Sequence, residues 1–186
     1  VAVKECTEAR PVFGIIRIDN VSEVTADMTD MEKSALLSDV TERVLSYFSS
    51  RDGFIKQYST TDFVTCISQK ALADMMEENF DILDRVREIH TVNRIPVTLS
   101  IGVVQSEDSF ARQFEEAQVS LDLALGRGGD QAIVRIGKDV RAFGGKSPTA
   151  VSSTRVRVRV VAQALKEIID GADMVLIMGH AHEDFD

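Results

Sequence analysis

Tryptophan is absent from this 186-residue chain, which holds three prolines, three histidines and only two cysteines. Two thiols, Cys6 and Cys66, cannot build the disulfide framework of a small secreted domain, and they fit a reducing compartment. Positive charge is also short. Twenty-one Lys and Arg stand against thirty Asp and Glu, a net charge of −9. That balance excludes a nonspecific nucleic-acid binder or a membrane-surface protein, both of which need a positive field to attract phosphates. No apolar run approaches the roughly 18 residues of a spanning helix. The N-terminus lacks the charged-then-apolar pattern of a signal peptide, so a soluble polypeptide is expected. What remains is ordinary for a globular protein: 44% apolar and 27% charged residues, enough for one domain with a sizeable core and part of a second.

Hydrophobic periodicity orders that material. VFGIIRI (12–18) is an apolar, β-branched run expected as a buried strand. In MEKSALLSDVTERVLSYF the residues Leu36, Leu37, Val40, Val44, Leu45 and Phe48 recur at three-and-four spacing, which predicts an amphipathic helix. Arg51-Asp52-Gly53 marks a turn before two β-type runs, 54–58 and 63–67, joined by the polar tip STTD as a hairpin. A helix from Ala71 to Ile89, a strand over 97–104, a helix over 110–125 closed by Gly126, and a strand over 132–137 follow. The order strand, helix, strand, strand, helix, strand is that of an α+β, ferredoxin-like split βαβ sandwich with a further helix and strand appended. Residues 137–154, rich in Gly, Ser, Thr and Lys, read as a linker. RVRVRV alternates like a strand, but Val156, Val160, Ala164 and Ile168 favour a helix over 155–169, and MVLIM (174–178) reads as a buried strand.

The stretch VTLSIGVV, then Ala117 and LDLALGRGGDQ (121–131), resembles the C-terminal half of a GGDEF domain, the fold of the diguanylate cyclases, and the element order matches over residues 11–137. On that resemblance the tip Ser59, Thr60, Thr61, Asp62 and Phe63 takes the place of the family's signature, with only Phe63 identical. The resemblance implies that an active cyclase holds divalent cations with two carboxylates, one on the first strand and one at the signature's third position. Those places fall here on Arg17 and Thr61, a cation and a neutral hydroxyl. Ser59 and Thr60 crowd the space that two glycines leave open for phosphates. Asp19 and Asp62 remain as acids for a displaced, weak nucleotide or metal site. Cyclase activity is expected to be absent.

The final residues GHAHEDFD fit the spacing His-xxx-Asp-x-Asp found after a first strand in the DHH phosphoesterases. The resemblance implies a binuclear manganese centre, with His180 and Asp184 on one metal and Asp186 on the other. A degenerate GGDEF domain (1–138), a linker (139–154) and the beginning of a DHH domain (155–186) together resemble the membrane-anchored bacterial cyclic-di-AMP phosphodiesterases. That family implies a parent that hydrolyses cyclic-di-AMP with Mn2+ on the cytoplasmic side of the cell membrane. Its remaining ligands would lie outside these residues. Three ligands without their supporting shell do not hold two metals firmly, so the fragment itself is expected to be inactive and to bind no metal firmly.

Other patterns carry less. Gly145-Lys146-Ser147 fails as a P-loop because Val140 stands where its first glycine is required. His90 reads as a helix cap, Arg155, Arg157 and Arg159 as a solvated helix face, and Cys66 as a packed thiol. The expectation is a regulatory domain that binds a nucleotide weakly or pairs with a second copy. A weak magnesium-dependent nucleotide hydrolase and a structural signal-relay spacer are the alternatives.

Overall fold

The computed structural model describes residues 11–145, all within the first of two compact units, 1–152 and 153–186. The predicted helix at 155–169, the strand at 174–178 and the tail acids and histidines lie outside the described residues, as does the linker from 146 onward. The elements are β1 (Val12–Ile18), α1 (Val21–Val24), α2 (Asp30–Ser49), β2 (Phe54–Gln57), β3 (Asp62–Ile67), α3 (Gln69–Glu77), α4 (Ile82–Arg87), β4 (Leu99–Gln105), α5 (Phe110–Gly126), β5 (Gln131–Ile136) and β6 (Asp139–Gly144). They build one six-stranded sheet in the order β2-β3-β1-β4-β5-β6. Only β4 and β5 are parallel, joined by α5 as the crossover, and every other neighbouring pair is antiparallel.

Side chains alternate across the sheet. On one face Val12, Ile16 and Ile18 of β1 join Phe63 and Ile67 of β3, Leu99, Ile101 and Val103 of β4, and Ala132 and Val134 of β5. That face packs on Val40, Val44 and Phe48 of α2, Leu72 and Met75 of α3, and Ile82, Leu83 and Val86 of α4 in a continuous core. Each such fully buried side chain contributes about 1.5–3 kcal/mol. The entry to α2 is a capping box: the Thr29 hydroxyl accepts from the Glu32 N–H while the Glu32 carboxylate accepts from the Thr29 N–H at 2.8 Å. The other face is thinner. Phe13, Ile15 and Val104 pack on Ala117 and Leu121 of α5, which lies over β1, β4 and β5. Gly102 of β4 permits this close approach, since a Cβ there would collide with the Ala117 carbonyl and the Leu121 N–H.

The structure departs from the sequence expectation in three places. The single helix expected over 71–89 is two, because Asn79 and Phe80 adopt left-handed backbone (φ 53° and 52°) between α3 and α4. Burial of the Phe80 ring against Phe143, with centroids 5.3 Å apart, accompanies that break. A single turn of helix, α1, occupies the polar stretch after β1. Residues 139–144, expected as linker, form β6, turned back on β5 through Gly137 at φ 58° and carrying Phe143 into the core.

Candidate functional site

The expected site residues divide into two clusters. The first is built by the β2–β3 hairpin and the end of β1. The register places Arg17 opposite Asp62, so both side chains leave the sheet on the face that α5 partly covers. The Arg17 Nε donates to Asp62 Oδ1 at 2.5 Å. The second carboxylate oxygen, Oδ2, accepts from the Ser59 hydroxyl at 2.6 Å and the Thr61 hydroxyl at 2.9 Å. Ser59 Oγ in turn accepts from the backbone N–H groups of Thr61 and Asp62 at 3.2 and 3.1 Å, which closes the turn. Asp62 is buried, and burial alone would raise its pKa. The hydrogen bonds from Ser59, Arg17 and Thr61 outweigh that and hold the carboxyl below its ordinary range. Thr60 is exposed at the tip, where its carbonyl accepts from Gln57 Nε2 at 3.1 Å. Phe63 points the other way, into the core, and is no part of the cluster.

Asp19 belongs to a second cluster that the sequence did not disclose. Its Oδ2 accepts from the Ser100 hydroxyl at 2.9 Å and from the Asp130 N–H at 3.0 Å. Its Oδ1 is shut off from solvent and has no hydrogen-bond partner. The residue as a whole is half-buried. That burial pushes the Asp19 pKa up to about 6, against the opposing bonds from Asp130 and Ser100. Gly129, at φ 75°, keeps the adjoining turn clear: a Cβ there would stand 2.8 Å from Asp19 Oδ2. Asp130 is held by the Arg87 guanidinium, Nε to Oδ1 2.8 Å, across 43 residues of sequence. The GRGGDQ turn was the available signal for Asp130, since a glycine-rich stretch ending in an acid implies a close backbone approach.

A divalent cation does not fit the first cluster. Magnesium and its like need open oxygen ligands. Here both oxygens of Asp62 are engaged, Thr61 supplies no charge, and the Arg17 guanidinium lies against the carboxylate. Asp19, the remaining acid, is turned into its own buried network. Among the described residues no group of three His, Cys, Asp or Glu side chains is placed to hold a metal ion. A cavity of about 510 Å3 lies elsewhere, lined by Ser50, Arg51, Asp74, Glu77 and Glu78. Its three carboxylates disfavour a phosphate ligand, and its one cation is engaged, stacked 3.9 Å over the Tyr47 ring and paired with Glu78.

A family model described as the GGDEF domain of GdpP-like cyclic-di-AMP phosphodiesterases matches residues 16–141. The chain belongs to this family. It is 42% identical over 179 residues to the cyclic-di-AMP phosphodiesterase PdeA of Listeria monocytogenes and 38% identical over 179 residues to the cyclic-di-AMP phosphodiesterase GdpP of Bacillus subtilis. Each match covers 95% of this chain and 27% of the relative, so the chain spans about a quarter of the length of these relatives. Among solved structures, the active GGEEF domain of a Vibrio cholerae diguanylate cyclase superposes with a TM-score of 0.58 at 17% identity, covering 72% of this chain and 87% of that one. The GGDEF domain of DgcB from Caulobacter crescentus, in complex with c-di-GMP, gives 0.56 at 15% identity, covering 70% and 84%. These likenesses establish the palm-like cyclase fold for this member of the phosphodiesterase family.

Proposed function

We propose that this GdpP-like GGDEF domain is a regulatory module whose cyclase chemistry is disabled and which acts on the phosphodiesterase to which it is joined. The observation that carries the reading is the Arg17–Asp62 pair. A protein-borne cation occupies the position at which an active cyclase would require a carboxylate, and the neighbouring acid is saturated by that cation and two hydroxyls. Cyclisation needs cations to neutralise a triphosphate and to lower the pKa of the attacking hydroxyl. Without an open carboxylate neither is recruited here. The parent protein, in this reading, hydrolyses cyclic-di-AMP through a manganese-dependent DHH domain that begins at residue 155 and takes His180, Asp184 and Asp186 as metal ligands, and the domain works at the cytoplasmic side of the membrane. The support is the naming of PdeA and GdpP as cyclic-di-AMP phosphodiesterases and, for the membrane, the name of a 30% identical Onion yellows phytoplasma protein, a membrane protein–ribosomal subunit fusion. No helix among the described residues is long and apolar enough to cross a membrane.

Nucleotide binding at the hairpin tip is weak and owes little to metal. Calorimetric titration of ATP, GTP and c-di-GMP, with and without magnesium, tests this together with assays for c-di-GMP formation and phosphate release. The expected result is no cyclic product, no phosphate release and no binding that appears only with magnesium. Magnesium-dependent turnover of GTP or ATP would contradict it. In the longer protein, Arg17→Asp is expected to change cyclic-di-AMP hydrolysis while leaving manganese binding intact; unchanged hydrolysis would instead mark the domain as a spacer.

A further inference from the structure

Among the described residues the sheet ends in two edge strands, and they differ. β2 is short, carries Lys56 and has no acid to meet it. β6 reads DVRAFG, and its residues Asp139, Val140, Arg141 and Ala142 are all exposed. A strand at the end of a sheet presents a row of unpaired N–H and C=O groups, which is a template for a further strand. The hairpin decides which residues of β6 present them. Ile136 and Asp139 flank the turn Gly137-Lys138, and at the other end of the ladder the Gly145 N–H donates to the Asp130 carbonyl at 2.9 Å. Hydrogen-bonded and non-hydrogen-bonded pairs alternate along an antiparallel ladder, so residues 139, 141, 143 and 145 turn their backbone groups toward β5. Val140 and Ala142 turn theirs outward.

The side chains of this edge are complementary to themselves. When a second β6 lies antiparallel beside the first with Val140 on the two-fold axis, Val140 meets its copy in a hydrogen-bonded pair, as its outward N–H and C=O require. Asp139 of each copy then stands directly opposite Arg141 of the other. Both opposed pairs fall in non-hydrogen-bonded positions, where Cα atoms approach to about 4.5 Å and side chains come closest. Val140, 42% exposed in the single chain, gains an apolar neighbour. An axis at Ala142 keeps the outward bonds but sets Arg141 against Phe143 and leaves Asp139 without a charge to meet. An axis at Asp139 or Arg141 turns the ladder groups of the two strands away from each other. We propose that β6 is a homodimer interface through which two copies of this domain join their sheets into one, with Asp139 facing Arg141. This edge is three strands from β1, so the pairing stands whatever the Arg17–Asp62 cluster binds. Because the paired strands run in opposite directions, the two chains leave β6 at Gly144 roughly 25 Å apart, given about 3.3 Å per residue from the axis. Pairing thereby sets the spacing of whatever is joined behind each copy.

Charge reversal in the full 186-residue chain tests both the interface and its register, with sedimentation equilibrium reading the monomer–dimer constant and urea unfolding checking the fold. Asp139→Lys and Arg141→Asp, made singly, each turn two opposed pairs into two like-charged ones and weaken dimerisation at least about tenfold. Made together they restore opposite charges, and the constant returns to within about threefold of wild type. Val140→Pro removes the outward N–H, leaves the β5 ladder intact and favours the monomer. A chain that stays monomeric at millimolar concentration overturns the proposal. A dimer that neither single reversal weakens overturns it as well, by placing the interface elsewhere. So does a double reversal that fails to rescue, since the two charges would then act without facing each other.

Discussion

The two faces of the sheet obey different physics. One is packed by α2, α3 and α4 into a continuous apolar core. The other carries one helix, a buried acid network around Asp19, a neutralised ion pair at Arg17 and Asp62, and a strip of exposed rings. On the first face stability comes from many small, replaceable apolar contributions. On the second it depends on a few close approaches and polar bonds, each costly to lose because its partners stay buried. The proposed regulatory role is assigned to this second face, apart from the face that supplies the larger core.

The contrast can be broken most severely at Gly102. Gly102→Ala drives a methyl into the backbone of α5 and should cost about 3 kcal/mol or more, measured by urea unfolding, with secondary structure of the helix-rich face the last to be lost. A comparable substitution in the larger core, Val44→Ala, should fall nearer 2–3 kcal/mol. Equal losses would remove the distinction.

Asp19 gives the next effect, and its sign follows from burial. Its folded pKa of about 6 lies above the 3.8 of an unperturbed aspartate, so the folded state holds the proton more tightly. The associated stability is present in full below about pH 4 and is lost as pH rises through 6, by up to roughly 3 kcal/mol. Asp19→Asn removes the titration while retaining an oxygen for Ser100 and Asp130. The variant's stability relative to wild type should therefore increase between pH 4 and pH 7 in denaturant titrations. A constant difference across that range would contradict the buried-acid reading.

Arg17→Ala should cost about 1–2 kcal/mol at neutral pH, because Asp62 loses its guanidinium while staying largely enclosed by Ser59 and Thr61. Asp62 is held below its ordinary pKa, so its contribution is present above that ordinary value and disappears as pH falls through the lower one. The penalty of Arg17→Ala should accordingly shrink in acid. The smallest effect belongs to the helix-rich face, where Thr29→Ala removes the cap of α2 and should cost about 1 kcal/mol with no dependence on nucleotide or metal.

Much of the framework was legible in the sequence, on both faces. β1, α2, β4 and α5 declare themselves through apolar spacing, and their observed limits match the expected ones within two residues. The break at Asn79 and Phe80 was not visible, since a burying contact between Phe80 and Phe143 joins segments far apart in the chain. For the same reason β6 was taken for linker: its alternation is short, and its partner β5 supplies the missing hydrogen bonds. The second face was read in pieces. Arg17 and Thr61 read as unsuited to a cation, and Asp62 and Asp19 as remaining acids. Their division into separate networks depends on partners 81 and 111 residues from Asp19, which no local pattern encodes.

The central claim is that Arg17 and its bond to Asp62 close the cation position. Manganese added with GTP to the isotopically labelled chain tests it most directly, because a bound paramagnetic ion broadens the NMR signals of nearby amides. The amides of Arg17, Thr61 and Asp62 are predicted to stay sharp, and to broaden only after Arg17→Asp. Selective broadening of those three in the wild-type chain would contradict the claim.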